Sequence, residues 1–339
     1  MEFLTDPSPM DLTGVIRLTT EAYEAERSTL AQFLPNTHIN SNVAKLSDIV
    51  ATQGDAAEVR SYDAEAPIGK AAEKARAITF ELPPVSQKLR VSEANQLTDI
   101  ATSNLGATVN RYGKQVGEAI ADRLELFRGE VLATGKIDIQ GENGVYVDVD
   151  FGRDSAMEPT VGTSWEDANA TPLADLEEWL EAYSDHNDGD ASTLVLSKRA
   201  LRTLVRNKEI IGAVTDAPAK TRVTPAMVVS LLTEYGIPVV VTYDLMVGAA
   251  GTQKRVLAED TALLLPSAAD LTVGRTVFGT TVEAAEAAYG YGIAPEDAPG
   301  IVVGAWRQND PAGVWVHGTA IAAPVLTNPD LAMAAKISK

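Results

Sequence analysis

Cysteine is absent from the 339-residue chain, and histidine occurs only at His38, His186 and His317. Without cysteine the protein has no disulfides, no thiolate metal sites and no cysteine nucleophile. A hydrolytic triad or a two-histidine metal site would have to draw on three histidines that are far apart in the sequence. The composition therefore leaves little material for the common kinds of active site.

Basic residues are also scarce, since 28 Lys and Arg stand against 47 Asp and Glu and give a net charge of -19. A surface this acidic repels phosphate backbones, so we predict no sequence-specific nucleic-acid binding. The alternative interpretation of the charge is that it serves only solubility.

Long apolar runs are missing as well, and none approaches the roughly 18 residues that a membrane span requires. The N-terminal residues carry acids where a signal peptide carries basic residues, so we predict neither a signal peptide nor membrane association.

Motifs with defined chemistry are not found. The sequence contains no phosphate-binding loop and no Gly-x-Ser-x-Gly elbow, and Gly290 and Gly292 lack the third glycine of a dinucleotide loop. The acidic loop Asp185–Asp190 has its glycine at the fifth position, whereas a calcium loop needs it at the sixth. We therefore predict no catalytic residues, no cofactor and no metal site, and a protein that is not an enzyme.

The first segment, residues 1–50, is mostly irregular in pattern, with one helix indicated at about Leu12–Ala31. Val15, Ile16, Tyr23 and Leu30 are predicted to share its apolar face. This surface is too small to form a core alone, so the segment should lie against the body or against a neighbouring subunit.

Residues 51–95 predict a long hairpin with a polar tip. Glu58–Asp63 is extended in character, and Ala77–Leu82 alternates apolar and polar residues as a strand does. Two strands bury too little surface to be stable alone, so this hairpin needs a partner. The candidates for contact with another subunit are Arg60, Tyr62, Ile68, Lys70, Ile78 and Phe80. Lys70 also suggests a covalent crosslink between subunits, but a solubilising lysine is the interpretation we favour.

The longest regular pattern spans residues 97–134, where apolar residues recur every three or four positions. It predicts one helix of about 50 Å at about 1.5 Å per residue, with Gly135 where a C-terminal cap is expected. Gly106, Gly113 and Gly117 weaken such a helix, which suggests close packing or a bend there. A hairpin at 137–151 follows, with Asn143-Gly144 as its turn.

Helices and strands alternate from residue 165 to about 290, which predicts an α/β subdomain with its own small sheet. Thr171-Pro172, Ser197 and Thr224-Pro225 have the character of helix N-termini. The last segment, 291–339, returns to strands, which we place at Ile301–Val303, Val314–His317 and Thr319–Ala323.

This order of segments resembles the α+β fold of tailed-phage major capsid proteins, the Hong Kong 97-like fold. Local motifs are similar to those of its lambda-type branch, the major capsid protein E family. They are Pro84–Lys88, Leu132–Lys136, Val147–Arg153 with Trp165 shortly after, and Ala323–Leu326 followed by Asn328–Asp330.

The resemblance implies five parts. They are an N-terminal arm (1–50), an E-loop hairpin (51–95), a peripheral domain with the spine helix and hairpin (96–164), an axial domain (165–290) and strands returning to the body (291–339).

It further implies a major capsid protein of the virion, made in the cytoplasm of a bacterial host, that forms hexamers and pentamers of itself and encloses double-stranded DNA. The sequence starts close to the arm, without the scaffolding segment of some members, so a separate scaffolding protein is expected. A portal and a decoration protein are the other expected partners. The alternatives are an encapsulin-like compartment shell and a soluble α/β enzyme.

Overall fold

The computed structural model describes residues 2–27, 29–51, 73–102, 104–142, 144–187, 189–214, 223–248, 252–270 and 273–339. Within these ranges the α-helices, numbered in chain order, are α1 (Pro9–Arg27), α2 (Glu93–Thr102), α3 (Leu105–Thr134), α4 (Pro172–Asn187), α5 (Lys198–Arg206), α6 (Lys208–Val214), α7 (Pro225–Glu234) and α8 (Val282–Ala285).

The strands of the same ranges are β1 (Glu2–Phe3), β2 (Asn36–His38), β3 (Val43–Ala51), β4 (Glu73–Glu81), β5 (Pro84–Val91), β6 (Lys136–Glu142), β7 (Val145–Asp150), β8 (Thr193–Leu196), β9 (Val239–Thr242), β10 (Met246–Val247), β11 (Lys254–Arg255), β12 (Thr261–Leu265), β13 (Gly274–Gly279), β14 (Val302–Asn309), β15 (Ala312–Leu326) and β16 (Met333–Lys336).

β15 is the central strand of the larger, six-stranded sheet and pairs with three others. Its first part pairs with β14 and with β5 on opposite sides, and its last residues pair with β13, all antiparallel. β1 and the parallel strand β2 complete the six strands described. The strands predicted near the C-terminus lie within β14 and β15, but they were predicted too short, and the break predicted between Val314–His317 and Thr319–Ala323 is wrong. β15 continues through Gly318, where a side chain would clash with Val116 of α3.

α3 lies across this sheet as the spine of the molecule. It has 30 residues and is about 45 Å long at about 1.5 Å per residue. The prediction of one continuous helix from residue 97 is wrong, since α2 ends at Thr102 and a separate helix, α3, begins at Leu105. Leu97 is 65% exposed and takes no part in the buried stripe. The predicted C-terminal cap is confirmed, because Gly135 is left-handed (φ 67°) and its N–H donates to Val131 O.

α1 confirms the helix predicted at about Leu12–Ala31, although it runs from Pro9 to Arg27, and it packs against α3 and β14 of the body. Its buried face is formed by Leu12, Ile16, Thr20 and Glu24, whereas Val15, predicted on that face, is 48% exposed. The predicted close packing at the glycines of α3 is confirmed at Gly117. A Cβ there would clash with Thr20 Oγ1 and lie 2.8 Å from Ile16 Cγ2.

The α/β subdomain has its own sheet and its own core, as predicted. The sheet order is β16-β12-β8-β9, with β8 and β9 parallel and the other pairs antiparallel. Alternate residues of β12 face opposite ways, with Leu263 in the core of the body and Leu264 in the core under α4–α7. Two predicted caps form, since Ser197 Oγ accepts from Ala200 N–H and Thr224 Oγ1 from Met227 N–H.

Candidate assembly surfaces

β3 and β4 form a two-stranded antiparallel ribbon of nine residue pairs, from Val43 opposite Glu81 to Ala51 opposite Glu73. It is about 30 Å long at about 3.4 Å per residue. Its first strand lies earlier than the predicted Glu58–Asp63, a stretch that falls outside the described residues. The ribbon therefore begins within the segment assigned to the arm.

The base of the ribbon is anchored in its own chain. Ala44 and Leu82 are buried, and Leu82 N–H donates to Asn42 O at 2.9 Å. Among the described residues no third strand pairs with β3 or β4. Because an isolated ribbon of this length gains little from its own burial, it is suited to contact with another molecule.

Two of the predicted contact residues lie on this ribbon. Ile78 is half-buried opposite Leu46, and Phe80 is half-buried with its ring edge-on to Phe151 at 6.4 Å between centroids. Phe80 thus already has a partner in its own chain. Arg60, Tyr62, Ile68 and Lys70 lie outside the described residues, so their contacts with other subunits stay predictions.

A buried charge cluster joins α1 to α3. Arg128 is fully buried, and its Nη1 donates to Glu24 Oε1 at 2.9 Å and to Glu125 Oε2 at 3.2 Å. Its Nη2 donates to Asn36 Oδ1 at 2.6 Å, and its Nε donates to Thr276 Oγ1 at 2.9 Å. One guanidinium therefore connects α1, α3, β2 and β13 by ion pairs and hydrogen bonds.

Glu125 extends the cluster towards the α/β subdomain. Its Oε1 accepts from Tyr243 Oη at 2.7 Å and from Leu30 N–H at 3.1 Å. Burial raises the pKa of Glu125, while Arg128 and these hydrogen bonds oppose the rise. Sequence reasoning missed this cluster, although the signal was present: Arg128 interrupts the apolar stripe of α3 between Leu124 and Val131.

Arg153, the last residue of one family-like motif, caps the C-terminus of α3. Its Nη2 donates to Val131 O at 2.9 Å and to Leu132 O at 2.8 Å. Burial lowers the pKa of Arg153 to about 10, which leaves the side chain charged at neutral pH. A cation at this position complements the negative end of the helix dipole.

A groove of about 420 Å³ runs beside α3, between the start of β5 and the β6–β7 hairpin. Its lining includes Pro84, Val85, Ala119, Phe127 and Ile139. The Arg123 guanidinium lies 4.6 Å from the centre of the Phe127 ring, at the same groove. Ser86 and Gln87 also line the groove, so its walls are mixed polar and apolar.

The histidines occupy three separate places. His38 stacks on Phe278, His186 lies 3.6 Å from Asp330, and His317 meets Trp306 edge-on. Burial lowers the pKa of both His38 and His317. In the described part of the chain, no group of three or more His, Asp or Glu is arranged to hold a metal ion.

A smaller cavity of about 200 Å³ lies beside Trp165 and Arg199 in the α/β subdomain. Arg199 is mostly exposed and pairs with Glu166 at 2.7 Å and Glu259 at 2.9 Å. None of the three histidines lines it. Within the described ranges, no helix has both the length and the apolar character needed to cross a membrane.

Comparison with known proteins connects this geometry to one family. The family model described as phage major capsid protein E matches residues 38–337. No curated protein matches the sequence.

Solved structures share the fold at low sequence identity. A putative prophage capsid protein from Escherichia coli is 16% identical, with a TM-score of 0.64 over 96% of this chain and 99% of the other. A phage-related protein from Bordetella bronchiseptica is 14% identical, with a TM-score of 0.57 over 96% of each chain. A chain of the satellite phage P4 procapsid, which includes a size-determination protein, is 11% identical, with a TM-score of 0.52 over 95% of this chain and 91% of the other.

Proposed function

Because the chain belongs to the phage major capsid protein E family, we propose that it builds the head of a tailed bacteriophage by assembling as hexamers and pentamers. It is a capsid protein with the Hong Kong 97-like fold, and its place is the virion. The observation that carries the assembly proposal is the ribbon β3–β4, whose described residues pair with no third strand.

The ribbon acts as the E-loop of the family and reaches onto a neighbouring subunit. Its base is fixed by Ala44, Leu82 and the Phe80–Phe151 contact, so the rest can extend from a stable origin. Arg60, Tyr62, Ile68, Lys70 and Ile78 are the residues we propose to contact that neighbour.

The five parts inferred from the sequence are proposed as the domains of the subunit, with one refinement. β13 pairs with β15 of the larger sheet, and β16 pairs with β12 of the smaller sheet. Residues 274–290 therefore fit the peripheral body better than the axial domain.

The acidic charge suits containment of double-stranded DNA without sequence-specific binding. Subunits with a net charge of -19 repel the phosphate backbone, which disfavours a DNA-binding groove. A scaffolding protein, a portal and a decoration protein are the proposed partners in the host cytoplasm. The chain acts through these contacts and not through catalysis.

Native mass spectrometry of the purified chain tests the capsomer proposal. We expect particles of five and six times the 35.9 kDa subunit. A single 35.9 kDa species at every concentration would favour the soluble enzyme instead. Particles that contain cargo protein and never DNA, in cells producing phage, would favour an encapsulin-like shell. A ladder of covalent oligomers on a denaturing gel would indicate that crosslinks at residues such as Lys70 reinforce the shell, and not a decoration protein.

A further inference from the structure

The outer face of α1 carries apolar side chains that are exposed to solvent. Met10 is 57% exposed, Val15 is 48% exposed and Leu18 is 69% exposed. A Cβ added at Gly14, between them, would meet no described atom within 4 Å. The apolar residues exposed on this face, which we call the outer stripe, are Met10, Gly14, Val15, Leu18, Ala22 and Ala25. They recur every three or four positions and extend over about 22 Å at about 1.5 Å per residue.

The outer stripe is not needed for the packing of α1 in its own chain. Leu12 and Ile16 are buried on the other side of the helix, and both side chains lie close to Gly113 of α3. Leu18 comes two residues after Ile16, about 200° around the helix axis, so it points away from α3. A helix that packs on one side only is normally polar on the other. Large apolar side chains exposed together on one face therefore indicate contact with another molecule.

The charge around the outer stripe is negative. Glu21 and Glu26 are exposed and flank the stripe on its two sides, and Asp11 is exposed near its first turn. Arg17 and Arg27 are the basic residues of α1, and both donate hydrogen bonds to carbonyl oxygens in other segments of the chain. A molecule that covers the stripe therefore gains affinity from positive charge beside its own apolar face.

We propose that the outer stripe of α1 binds a cationic amphipathic helix of a separate protein. A straight apolar face of about four turns suits the apolar face of a second helix of similar length. Lysine or arginine beside that face would lie against Glu21 and Glu26. A second copy of α1 would instead bring like charges together, so charge complementarity favours a different protein. The inference goes beyond the proposed assembly, because the stripe is exposed on a single subunit.

Two synthetic peptides test the chemistry of the partner. The first is an amphipathic helix of leucine and lysine with about 18 residues, enough to span the stripe. The second has glutamate in place of lysine. In fluorescence anisotropy with the full chain, we expect the leucine–lysine peptide to bind roughly tenfold or more tightly than the leucine–glutamate peptide. Equal affinities would overturn the proposal.

Two leucine substitutions separate the outer stripe from a general attraction between lysine and an acidic chain. Leu18 and Leu97 are both exposed leucines of helices, at 69% and 65%, and Leu97 lies in a different helix, α2. Leu18→Gln should weaken binding of the leucine–lysine peptide roughly tenfold or more, because the centre of the apolar contact is lost. Leu97→Gln should change the affinity by less than about twofold. Both variants should keep the circular dichroism spectrum, and equal affinities of the two would overturn the proposal.

Two double substitutions test the acidic residues beside the stripe. Glu21→Gln with Glu26→Gln should weaken the leucine–lysine peptide roughly fivefold, since charges next to the peptide are lost. Glu177→Gln with Glu181→Gln removes the same charge from exposed positions of α4 and should have a much smaller effect. Equal weakening would show that the peptide responds only to net charge, and would overturn the proposal.

Capsomer formation by the same variants distinguishes this inference from the proposed function. We expect Leu18→Gln to form capsomers as the natural chain does. Loss of capsomers in Leu18→Gln but not in Leu97→Gln would show that a second copy covers the stripe, and would overturn the proposal. A chain that forms capsomers but binds the peptide equally in every variant would overturn this inference and leave the proposed function intact. A chain that never assembles but shows the expected differences in peptide affinity would support this inference alone.

Discussion

Arg128 connects segments that are distant in the sequence. Its guanidinium donates hydrogen bonds to Glu24 in α1, to Glu125 one turn earlier in α3, and to Thr276 in β13. A buried cation of this kind contributes little net stability compared with an apolar side chain, but removing it leaves two buried carboxylates without a cation to offset their charge. Its effect is to fix where α1 docks on α3.

We predict that Arg128→Met lowers the free energy of unfolding by roughly 3–5 kcal/mol, because Glu24 and Glu125 lose the cation that they share. Urea unfolding of dissociated subunits measures this change. The matched control is Arg199→Met, which also removes an arginine that bridges two carboxylates, at a mostly exposed position. The control should have a much smaller effect. Equal losses in the two variants would show that the cluster is not buried as described.

His317 gives the stability of the subunit a pH dependence. Burial lowers the pKa of His317 in the folded chain, Glu283 opposes this shift and Lys88 adds to it, so the unfolded chain binds the proton more readily. The free energy of unfolding should therefore be constant near pH 8 and should fall as the pH drops below about 6.5, the ordinary pKa of histidine. His38 acts in the same direction. His317→Gln should reduce the slope between about pH 7 and 5.5 in chemical unfolding, and an unchanged slope would contradict this account.

Among the elements, the contact of α1 with α3 depends on a glycine. Gly117→Ala should destabilise the subunit by roughly 1–3 kcal/mol, because the new methyl group would push against Thr20 and Ile16. Gly14→Ala is the matched control, since Gly14 lies in α1 with no neighbouring atom within 4 Å of the added Cβ. The control should be neutral or gain up to about 1 kcal/mol of helix propensity. Thermal unfolding compares the two, and a stabilised Gly117→Ala would show that the helices are not in close contact.

Elements with a strong local signal could be predicted from the sequence. The hairpin turn at Gly144, the caps at Ser197 and Thr224 and the end of α3 at Gly135 depend on one or two residues each, and the structure has them. The start of α3 could not be predicted, because the apolar spacing continues from α2 into α3 although the two are separate helices.

Features that depend on distant residues were beyond the sequence pattern. The ribbon was placed too late because the alternation in β3 is less regular than in β4, and the pairing partner decides the strand. The strand β15 looked interrupted at Gly318 because the reason for that glycine, the approach of Val116 in α3, lies in another element. The Arg128 cluster likewise exists only after folding.

For the whole molecule, the net charge sets how copies approach one another. Subunits with a charge of -19 repel at low salt, where screening extends over about 30 Å, and much less at about 0.15 M, where it falls to about 8 Å. We predict that assembly followed by light scattering rises as salt is increased over this range. Assembly that weakens with added salt would instead indicate contacts made mainly by opposite charges.

Negative-stain electron microscopy of the purified, concentrated chain tests the central claim most directly. The claim is that the chain functions by assembling with itself through surfaces that a single copy leaves open. We predict rings of five or six subunits built without added cofactor or substrate, and closed shells when the proposed scaffolding protein is present. A field of separate subunits at every protein and salt concentration would contradict this account.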